Sequence, residues 1–356
     1  MSVLTGLTSG AVEVPVEIDG NGRLVVEGVT GDTGAAGPPG PAGPSGVGAT
    51  QGAGFWFASQ RWTFTTSLPT QFDSIAWCSG FNLYIASGYN GSNTNRVASS
   101  ADGITYTNRL SFSGSSGAIA YSPTLNRAVV GRDNGISYTD DGINWNSATI
   151  AAADWKGLTW SPSLSRFAAV IYAGTGTGQA AYSSDGITWT VVNMPTSGTV
   201  YYTNLTWASG INKFVAVPFI GALVATSSDG ITWTKTAITN SQWKNVVWAN
   251  AYNLLVAVSQ TSPYLATSPD GTTWTNRSVP ANSYEGGIVY SPEIGVILVS
   301  SSNTGLLAST DGINYGKIDV NTLSSQNVPS NLRGIAWSPE QFRFAAVSTS
   351  RATTLL

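Results

Sequence analysis

Residues 182–190 read YSSDGITWT, and this phrase decides the fold because it recurs along the chain in nearly the same form. Each copy holds an aspartate, a glycine directly after it, and an aromatic residue four positions after the aspartate. The aspartates are Asp102, Asp141, Asp185, Asp229, Asp270 and Asp311, which lie 39, 44, 44, 41 and 41 residues apart. A repeat of this length indicates one supersecondary unit that is used several times.

A second marker, an apolar-X-aromatic step such as LTW at 158–160, precedes each copy of the phrase. The inner aromatics of these steps are Trp77, Tyr121, Trp160, Trp207, Trp248, Tyr290 and Trp337. A period of about 42 residues with about four short strands per unit is typical of the blades of a β-propeller. We therefore predict an all-β fold with a seven-bladed β-propeller.

Seven inner aromatics but six aspartate phrases leave one blade incomplete. The stretch FWFASQRWTFTT at 55–66 aligns with the segment around the phrase but lacks its Asp-Gly pair. We predict that the last blade is closed by residues 54–66, which would hide the strand edges that an open array exposes. The pattern allows the closing strand to come from the same chain or from a neighbouring subunit.

Every residue type in the repeated phrase has a structural use. The Asp185 carboxylate can accept backbone N–H groups in a tight turn, and Gly186 can supply the positive φ that such turns need. Ile187 and Trp189 have the same parity, which predicts that both lie on one face of the outer strand. Six equivalent carboxylates spread around a ring converge on no common point, so we interpret all six as structural rather than catalytic.

The chain divides into three predicted parts. Residues 1–27 are a predicted β-hairpin module, because residues 11–27 alternate apolar and polar around a turn signal at 19–22. Two strands alone need a packing partner. In residues 28–48 glycine occupies every third position, and prolines fill intervening places. This period predicts a short collagen-like triple helix, hence a homotrimeric stalk, with a flexible Gly/Pro linker as the alternative. The propeller occupies residues 49–356.

Composition excludes several classes of function. The chain of 356 residues contains no histidine, so it cannot build a Ser/His or Cys/His nucleophile or a His-ligated metal site. The single Cys78 excludes an internal disulfide, and the net charge of −3 without a basic patch argues against nucleic acid as a partner. The sequence shows no signal peptide and no run long enough to insert in a membrane. We expect no cofactor and no metal.

The loops opposite the aspartate phrases are polar, uncharged and dotted with aromatics, which suits the apolar faces and hydroxyl rims of sugars. The candidate glycan contacts are Tyr89, Trp155, Tyr172, Tyr201, Tyr202, Trp243, Tyr264 and Tyr284. Trp155, Tyr202 and Trp243 each lie five residues before an inner aromatic, and a repeated position of this kind favours packing as the alternative.

A glycan-cleaving site would need two carboxylates across a cleft. Few acidic residues lie outside the aspartate phrases, and of these Asp154 and Glu285 precede inner strands on the loop side. The pattern does not show that they meet, so we predict no enzymatic activity.

The aspartate phrase resembles a shortened Asp box (BNR repeat) of bacterial sialidases and other propellers. We expect the inner strands, read from their apolar-X-aromatic steps, to carry no arginine and no carboxylate, and Arg127, Arg166 and Arg343 fall near the turns on the Asp-box side. The sialidase site therefore does not transfer.

The three parts together, with LTGLTSGAVEVPVEIDGNGRLVVEG at 4–28 as the head, resemble virion fibre proteins of tailed phages of cyanobacteria. The resemblance implies a homotrimeric tail or capsid fibre, made in the host cytoplasm and acting outside it. Its N-terminal module would dock on other virion proteins and its tip would adhere to host surface polysaccharide. A depolymerase tip and a non-adhesive capsid decoration are the alternatives.

Overall fold

A computed structural model of the chain describes residues 16–18, 24–26, 62–64, 71–89, 94–172, 178–195, 198–239, 242–261, 265–279, 286–301, 305–318, 332–348 and 352–355. The chain forms two compact units, Met1–Gly46 and Val47–Leu356. The collagen-like segment predicted over 28–48 lies outside the described residues, so the triple helix stays a prediction.

The first unit contains a two-stranded antiparallel sheet. Strand β1 (Val16–Ile18) pairs with β2 (Leu24–Val26), and Ile18 lies opposite Leu24. This pairing places residues 19–23 between the two strands, where the sequence predicts the turn.

In its described residues, the second unit contains seven four-stranded antiparallel sheets, one for each blade. Blade 1 consists of β4 (Ser74–Cys78), β5 (Leu83–Tyr89), β6 (Thr94–Ser100) and β7 (Thr107–Ser113); blade 2 of β8 (Ser116–Ser122), β9 (Arg127–Arg132), β10 (Gly135–Thr139) and β11 (Asn146–Ser147); blade 3 of β12 (Trp155–Ser161), β13 (Arg166–Ile171), β14 (Gln179–Ser183) and β15 (Thr190–Asn193). Blade 4 consists of β16 (Tyr201–Ala208), β17 (Lys213–Ile220), β18 (Leu223–Ser227) and β19 (Thr234–Ala237); blade 5 of β20 (Trp243–Ala249), β21 (Leu254–Ser259), β22 (Leu265–Ser268) and β23 (Thr275–Arg277). Blade 6 consists of β24 (Ile288–Ser291), β25 (Val296–Ser301), β26 (Gly305–Ser309) and β27 (Gly316–Ile318); blade 7 of β28 (Leu332–Ser338), β29 (Arg343–Ser348), β30 (Ala352–Leu355) and β3 (Trp62–Phe64). Two short 3-10 turns follow the first strands of blades 1 and 5, at Ser79–Phe81 and Asn250–Tyr252.

The sheets are arranged in a closed ring. The first strand of each blade contacts the first strands of both neighbouring blades, and β28 of blade 7 contacts β4 of blade 1. The fourth strand of blade 7 is β3, which pairs antiparallel with β30, so that Trp62 lies opposite Leu355. The same chain therefore supplies all four strands of blade 7. The closing strand lies within the stretch 54–66, where the sequence predicts it. The fold is an all-β, seven-bladed β-propeller.

Packing between blades explains the apolar runs of the second strands. In blade 3, residues 167–171 are all buried, as expected for a strand covered on both faces. Ala168 and Val170 of that strand share a buried cluster with Leu205 and Trp207 of blade 4. Similar clusters form between the other neighbouring blades, including blades 6 and 7. The repeat thus buries a continuous core around the ring.

All six aspartate phrases form the same turn between the third and fourth strands of their blades. In blade 3, Asp185 Oδ1 accepts the N–H groups of Ile187 and Thr188, both at 2.8 Å, and the hydroxyl of Ser183 at 2.8 Å. Gly186 has a φ of 73° and donates its N–H to Ser183 Oγ at 2.8 Å. The other five aspartates accept the same two N–H groups. The structural interpretation of these carboxylates therefore has a geometric basis.

One expectation about this turn is wrong. The sequence predicts that Ile187 and Trp189 share one face of the outer strand, but that strand begins only at Thr190. Trp189 is buried and donates its indole N–H to Gly186 O at 3.1 Å, whereas Ile187 lies in the turn. The equivalent Ile143 is 45% exposed, so the aromatic residue alone packs inward.

A basic side chain links neighbouring blades through this turn. Arg127 begins the second strand of blade 2 and donates from Nη1 to Asp185 O of blade 3 at 2.6 Å. Lys213 makes the same contact to Asp270 O at 3.3 Å, and Arg343 reaches Asp102 O at 3.2 Å. The Arg343 contact joins blade 7 to blade 1, so it strengthens the seam where the ring closes.

The turns between first and second strands share one backbone conformation at their last residue, with φ between 47° and 60°. The residues at this position are Asn82, Asn126, Ser165, Asn212, Asn253, Gly295 and Phe342. Phe342 is the bulkiest of them and is 57% exposed, although it makes an edge contact with the Trp337 ring at 5.2 Å. A left-handed conformation is strained for a residue of this size, whereas asparagine tolerates it.

Phe342→Asn is expected to raise the free energy of unfolding by about 0.5–1 kcal/mol, because relief of strain exceeds the lost ring contact. Urea unfolding followed by tryptophan fluorescence measures the change. Leu125→Asn is the matched control, since it removes an exposed apolar side chain from the corresponding turn of blade 2 without relieving strain. If both variants behave alike, strain at Phe342 is not the cause.

Candidate functional site

The two ends of the ring differ in what they present. The aspartate turns and the turns between first and second strands, such as those at Asp185 and Phe342, lie at one end, which we call the aspartate face. The first strands begin at the opposite end, for example at Trp155, and we call this end the mouth face. Antiparallel pairing within each blade places the connections between second and third strands on the mouth face as well.

Three of the predicted glycan contacts are not available to a ligand. Trp155, Tyr202 and Trp243 are fully buried at the start of the first strands of blades 3, 4 and 5. The indole N–H groups of Trp155 and Trp243 donate to Ala151 O and Thr239 O, in the same chain segment. Each of these side chains fills the core between blades, so the packing alternative is correct for all three. They share one position of the repeat, and that position faces the core.

Tyr172 and Tyr201, by contrast, meet at the mouth face. Tyr172 follows the second strand of blade 3, and Tyr201 begins the first strand of blade 4; their ring centroids lie 4.9 Å apart. Phe219, near the end of the second strand of blade 4, lies 6.2 Å from Tyr172. All three rings are partly exposed. We call Tyr172, Tyr201 and Phe219 the aromatic cluster.

The aromatic cluster could be anticipated only in part from the sequence. Phe219 was missed because it occupies an irregularity in the strand pairing, where Tyr201 faces Ile220 and Tyr202 faces Pro218. Tyr89 ends strand β5, but its side chain lies outside the described residues, as do Tyr264 and Tyr284 altogether. These three stay predictions.

A central cavity of about 520 Å³ opens among the first strands next to the aromatic cluster. Among the described residues, the charged ones that line it are Asp73, Lys156, Lys244 and Arg333. Each of them lies four residues before an inner aromatic, such as Lys244 before Trp248, so the repeat brings them to one level of the ring. The volume lies within the range of about 300–1,000 Å³ that is usual for ligand pockets.

Arg333 corrects the expectation that inner strands carry no arginine. The apolar-X-aromatic steps do lack charge, but the first strand of blade 7 begins earlier, at Leu332, and includes Arg333. Its Nη1 lies 2.6 Å from Asp73 Oδ1 of blade 1, which pairs the two charges across the seam of the ring. These charged residues could have been found from the sequence, because each stands at the same spacing, four residues, before an inner aromatic.

The Lys244 ammonium joins the cavity to the aromatic cluster. Its Nζ lies 4.4 Å from the centroid of the Phe219 ring, a distance typical of a cation–π contact. Thr203 and Asn245 also line the cavity. The Thr203 hydroxyl donates to Trp243 O, and the Asn245 amide donates to Gly286 O. An apolar wall therefore lies directly beside a polar, charged pocket.

Two carboxylates meet behind Lys156. Ser115 Oγ lies within hydrogen-bond distance of both Asp133 Oδ1 and Asp154 Oδ1, the latter at 3.1 Å. Lys156 Nζ donates to Ser115 Oγ and lies 3.3 Å from Asp154 Oδ1. Burial raises the pKa of Asp154 to about 6; Lys156 opposes the rise, and the Asp133 carboxylate adds to it. The pair therefore shares one proton more readily than isolated carboxyls would.

This arrangement does not match a glycoside hydrolase. Asp133 and Asp154 converge on one hydroxyl, that of Ser115, whereas glycosidase carboxylates stand about 5–9.5 Å apart and leave room between them for the sugar or a water molecule. Glu285, the other carboxylate that the sequence placed near this mouth, lies outside the described residues. Within the described part of the chain, no group of acidic residues and Cys78 is arranged to hold a metal ion.

The Asp154 carboxyl predicts a specific pH dependence of stability. The pKa of Asp154 is higher in the folded chain than its ordinary value of 3.8. At pH values between 3.8 and about 6, the carboxyl group therefore takes up a proton when the chain folds. The stabilisation is complete below about pH 4 and is lost as the pH rises through about 6. Asp154→Asn should remove this loss, which makes the variant more stable than the natural chain by about 1 kcal/mol near pH 7.5, after allowance for solvent screening.

Urea unfolding near pH 4.5 and pH 7.5 tests this effect. Asp140→Asn is the control, because Asp140 is an exposed carboxylate that pairs with Arg127 on the aspartate face. The control should keep the pH slope of the natural chain. An Asp154→Asn variant with an unchanged slope would show that Asp154 is ionised throughout this range.

A second cavity, of about 400 Å³, lies between blades 3 and 4 at the aspartate face. Trp160 and Trp207 line it but are only 7% and 8% exposed. Their rings therefore offer little surface on which a sugar could stack. The mouth face carries the better candidate site.

The comparisons with known proteins support the fold. No protein-family model matches the chain, and no curated protein does. Among solved structures, a streptogramin B lyase superposes with a TM-score of 0.68 at 9% identity, covering 84% of this chain and 98% of that one. Virginiamycin B lyase from Staphylococcus aureus gives 0.67 at 12% identity, covering 83% and 98%.

A third structure, YCF48 bound to a D1 peptide, gives a TM-score of 0.61 at 14% identity and covers 84% of this chain and 97% of that one. At these identities the likeness concerns the β-propeller fold alone, and that fold does not decide whether a protein is an enzyme.

The described residues contain no helix with the length and hydropathy of a membrane span.

Proposed function

We propose that the chain is a trimeric virion fibre of a tailed phage whose propeller adheres to host surface glycans at the mouth face. The observation that carries the adhesive part is the aromatic cluster beside the central cavity. Partly exposed rings next to polar groups suit the apolar faces and hydroxyl rims of sugars. The fibre part rests on the head module, the collagen-like glycine period and their order along the chain.

The proposal assigns a separate task to each part of the chain. The N-terminal module docks on other virion proteins, the stalk holds three chains together, and each propeller presents one mouth face. Three sites on one stalk raise apparent affinity for a repetitive surface, since later contacts form at high effective concentration. The particle acts outside the host cell after assembly in its cytoplasm, on the tail or on the capsid.

We propose adhesion without catalysis. The two carboxylates that meet at the mouth are too close for glycoside hydrolysis, as described above. The inactive form of the virginiamycin B lyase carries alanine in place of one histidine, and the present chain contains no histidine. In the part of the chain that the structure describes, we therefore find no groups suited to glycoside hydrolysis and no histidine like the one replaced in the inactive lyase.

A glycan array with the full chain tests adhesion, and a reducing-end assay on the bound glycans tests cleavage. The proposal predicts saturable binding of surface polysaccharide with no new reducing ends over hours. Release of reducing ends would make the tip a depolymerase. Absence of binding to every glycan would leave a non-adhesive decoration of the capsid.

Light scattering tests the trimer separately. The full chain is expected to show about three times the monomer mass, because the glycine period requires three strands. A fragment of residues 54–356 is the control and should be monomeric, since its last blade closes within one chain. A monomeric full chain would refute the collagen-like stalk.

A further inference from the structure

Two junctions between blades pair an indole N–H with a carboxylate at the aspartate face. Trp77 of blade 1 donates from Nε1 to Glu340 Oε2 of blade 7 at 2.5 Å, and Trp337 of blade 7 donates to Glu293 Oε2 of blade 6 at 2.6 Å. In both cases the inner aromatic of one blade meets the turn between the first and second strands of the preceding blade. A glutamate carboxylate is therefore the acceptor that the chain itself supplies to an indole at this position.

The junction between blades 3 and 4 has the same turn but no carboxylate. The turn at 161–165 reads SPSLS and that at 338–342 reads SPEQF. Each closes with a backbone hydrogen bond of 3.3 Å from the N–H of its fifth residue to the carbonyl of its proline. Ser163 therefore stands at the position of Glu340 and brings a short hydroxyl side chain instead of a carboxylate.

The inner aromatic of blade 4, Trp207, is oriented like its counterpart in blade 1. Its ring lies 4.7 Å from that of Phe214 at an interplanar angle of 60°, and the corresponding values for Trp77 and Tyr84 are 4.6 Å and 57°. Because the ring pose and the facing turn match, the Nε1–H of Trp207 is aimed at the space beside Ser163. No described residue accepts a hydrogen bond from it.

A cavity takes the place of the missing carboxylate. It is the cavity of about 400 Å³ between blades 3 and 4, and its described lining includes Trp207, Ser163, Trp160, Ser209 and Asn212 but no charged residue. Trp160 is only 7% exposed, and its buried Nε1 has no hydrogen-bond partner among the described residues. The cavity therefore combines room for a small group with indole donors that lack an acceptor.

We propose that this cavity binds a carboxylate group, which accepts the Nε1–H of Trp207 as Glu340 and Glu293 accept the indoles of blades 1 and 7. The hydroxyl groups in the lining are further donors. Hydrogen bonds to an ionised acceptor are roughly twice as strong as neutral ones, which favours a carboxylate over an amide of the same shape. The carboxylate comes from a small free acid or from an acidic side chain of another protein chain. The site lies at the aspartate face, so this inference does not depend on glycan adhesion at the mouth face.

Urea unfolding of the full chain in the presence of sodium propionate tests the inference. Propionate has the end group of a glutamate side chain, and propionamide is its neutral isostere. All 13 tryptophans lie in the propeller part of the chain, so their fluorescence reports its unfolding. A ligand that binds only the folded chain raises the urea midpoint. At constant ionic strength, we expect a saturable rise with propionate, half complete at a concentration about fivefold or more below that needed with propionamide.

A second arm of the experiment distinguishes the two sources of the carboxylate. It uses the capped peptide acetyl-glycyl-glutamyl-glycinamide and the same peptide with glutamine in place of glutamate. Half-saturation by the glutamate peptide at a lower concentration than by propionate assigns the site to an acidic side chain of a partner chain. The reverse order assigns it to a small free carboxylate.

Two variants locate the effect. Trp207→Phe removes the indole donor but keeps an aromatic ring, and Ser163→Glu supplies a carboxylate from the chain itself, so each should abolish the rise with propionate. Trp274→Phe is the matched control for the first, because Trp274 donates its indole N–H to Gly271 O in an aspartate turn. Ser184→Glu, at an exposed serine of another such turn, is the control for the second, and both controls should keep the rise.

Three results would overturn the inference. They are the absence of a saturable rise, equal effects of propionate and propionamide, and a rise that survives in Ser163→Glu. If Trp207→Phe does not fold, Ser163→Glu still decides, because Glu340 and Glu293 show that this turn accommodates a glutamate at the same position.

Discussion

A chain that begins at residue 71 is expected to lose about 2–4 kcal/mol of stability and to associate at micromolar concentration. The truncation removes β3, which pairs with residues 353–355 in the last blade. Its loss breaks the backbone hydrogen bonds between these strands and leaves an unpaired edge at β30, and open edges recruit other chains. Blade 7 would then be held between blades 6 and 1 by its three remaining strands alone.

Urea unfolding and analytical ultracentrifugation measure both effects. The fragment of residues 54–356 is the matched control, because it lacks the head and stalk but keeps β3. It should be monomeric and nearly as stable as the propeller of the full chain. If the two fragments are equally stable and monomeric, residues 62–64 do not close the ring.

Asp185→Ala is expected to lower the free energy of unfolding by about 2–3 kcal/mol without loss of glycan binding. The substitution removes the acceptor of two backbone N–H groups and of the Ser183 hydroxyl, each at 2.8 Å. The same turn carries the Asp185 carbonyl that Arg127 contacts from blade 2. Disorder of one turn therefore loosens the contact between two blades.

The pH dependence of this effect has a defined sign. Burial acts to raise the pKa of Asp185, but hydrogen bonds from Thr188, Ile187 and Ser183 outweigh it, so the pKa lies below its ordinary value of 3.8. The ionised carboxylate therefore stabilises the fold above about pH 4, and this contribution is lost as the pH falls through the lower value. The natural chain and Asp185→Ala should converge in stability at low pH.

Ser184→Ala is the matched control, because Ser184 is the exposed residue next to Asp185 in the same turn. Its stability should stay within about 0.5 kcal/mol of the natural chain. Urea midpoints at neutral pH give the comparison. A loss as small for Asp185→Ala as for Ser184→Ala would contradict the role of the carboxylate in the turn.

The propeller could be predicted from the sequence because the same markers recur at regular spacing along the chain. The inner aromatics and aspartate turns mark blade after blade, and one missing Asp-Gly pair located the closing stretch. Local details were less predictable. Ile187 fell outside the strand because the turn extends to Trp189, and alternation of residues does not reveal where a turn ends.

The candidate site was predictable only in part, for the same reason. Trp155 lies at a repeated position and is buried, whereas Tyr172 and Tyr201 depart from the repeat and reach the surface. Phe219 and Lys244 could not be connected from the sequence, because a strand irregularity in blade 4 and the start of blade 5 bring them together. Contacts between blades depend on the curvature of the ring, which the spacing of motifs does not describe.

The most direct test of the account is the affinity of the Tyr172→Ala/Tyr201→Ala variant for the glycan that binds the natural chain most tightly. Phe342→Asn is measured beside it as a change on the aspartate face. We expect a loss of about tenfold or more for the double variant, since aromatic anchors dominate such sites, and no loss for Phe342→Asn. Unchanged binding by the folded double variant, or a loss confined to Phe342→Asn, would contradict a glycan site at the mouth face.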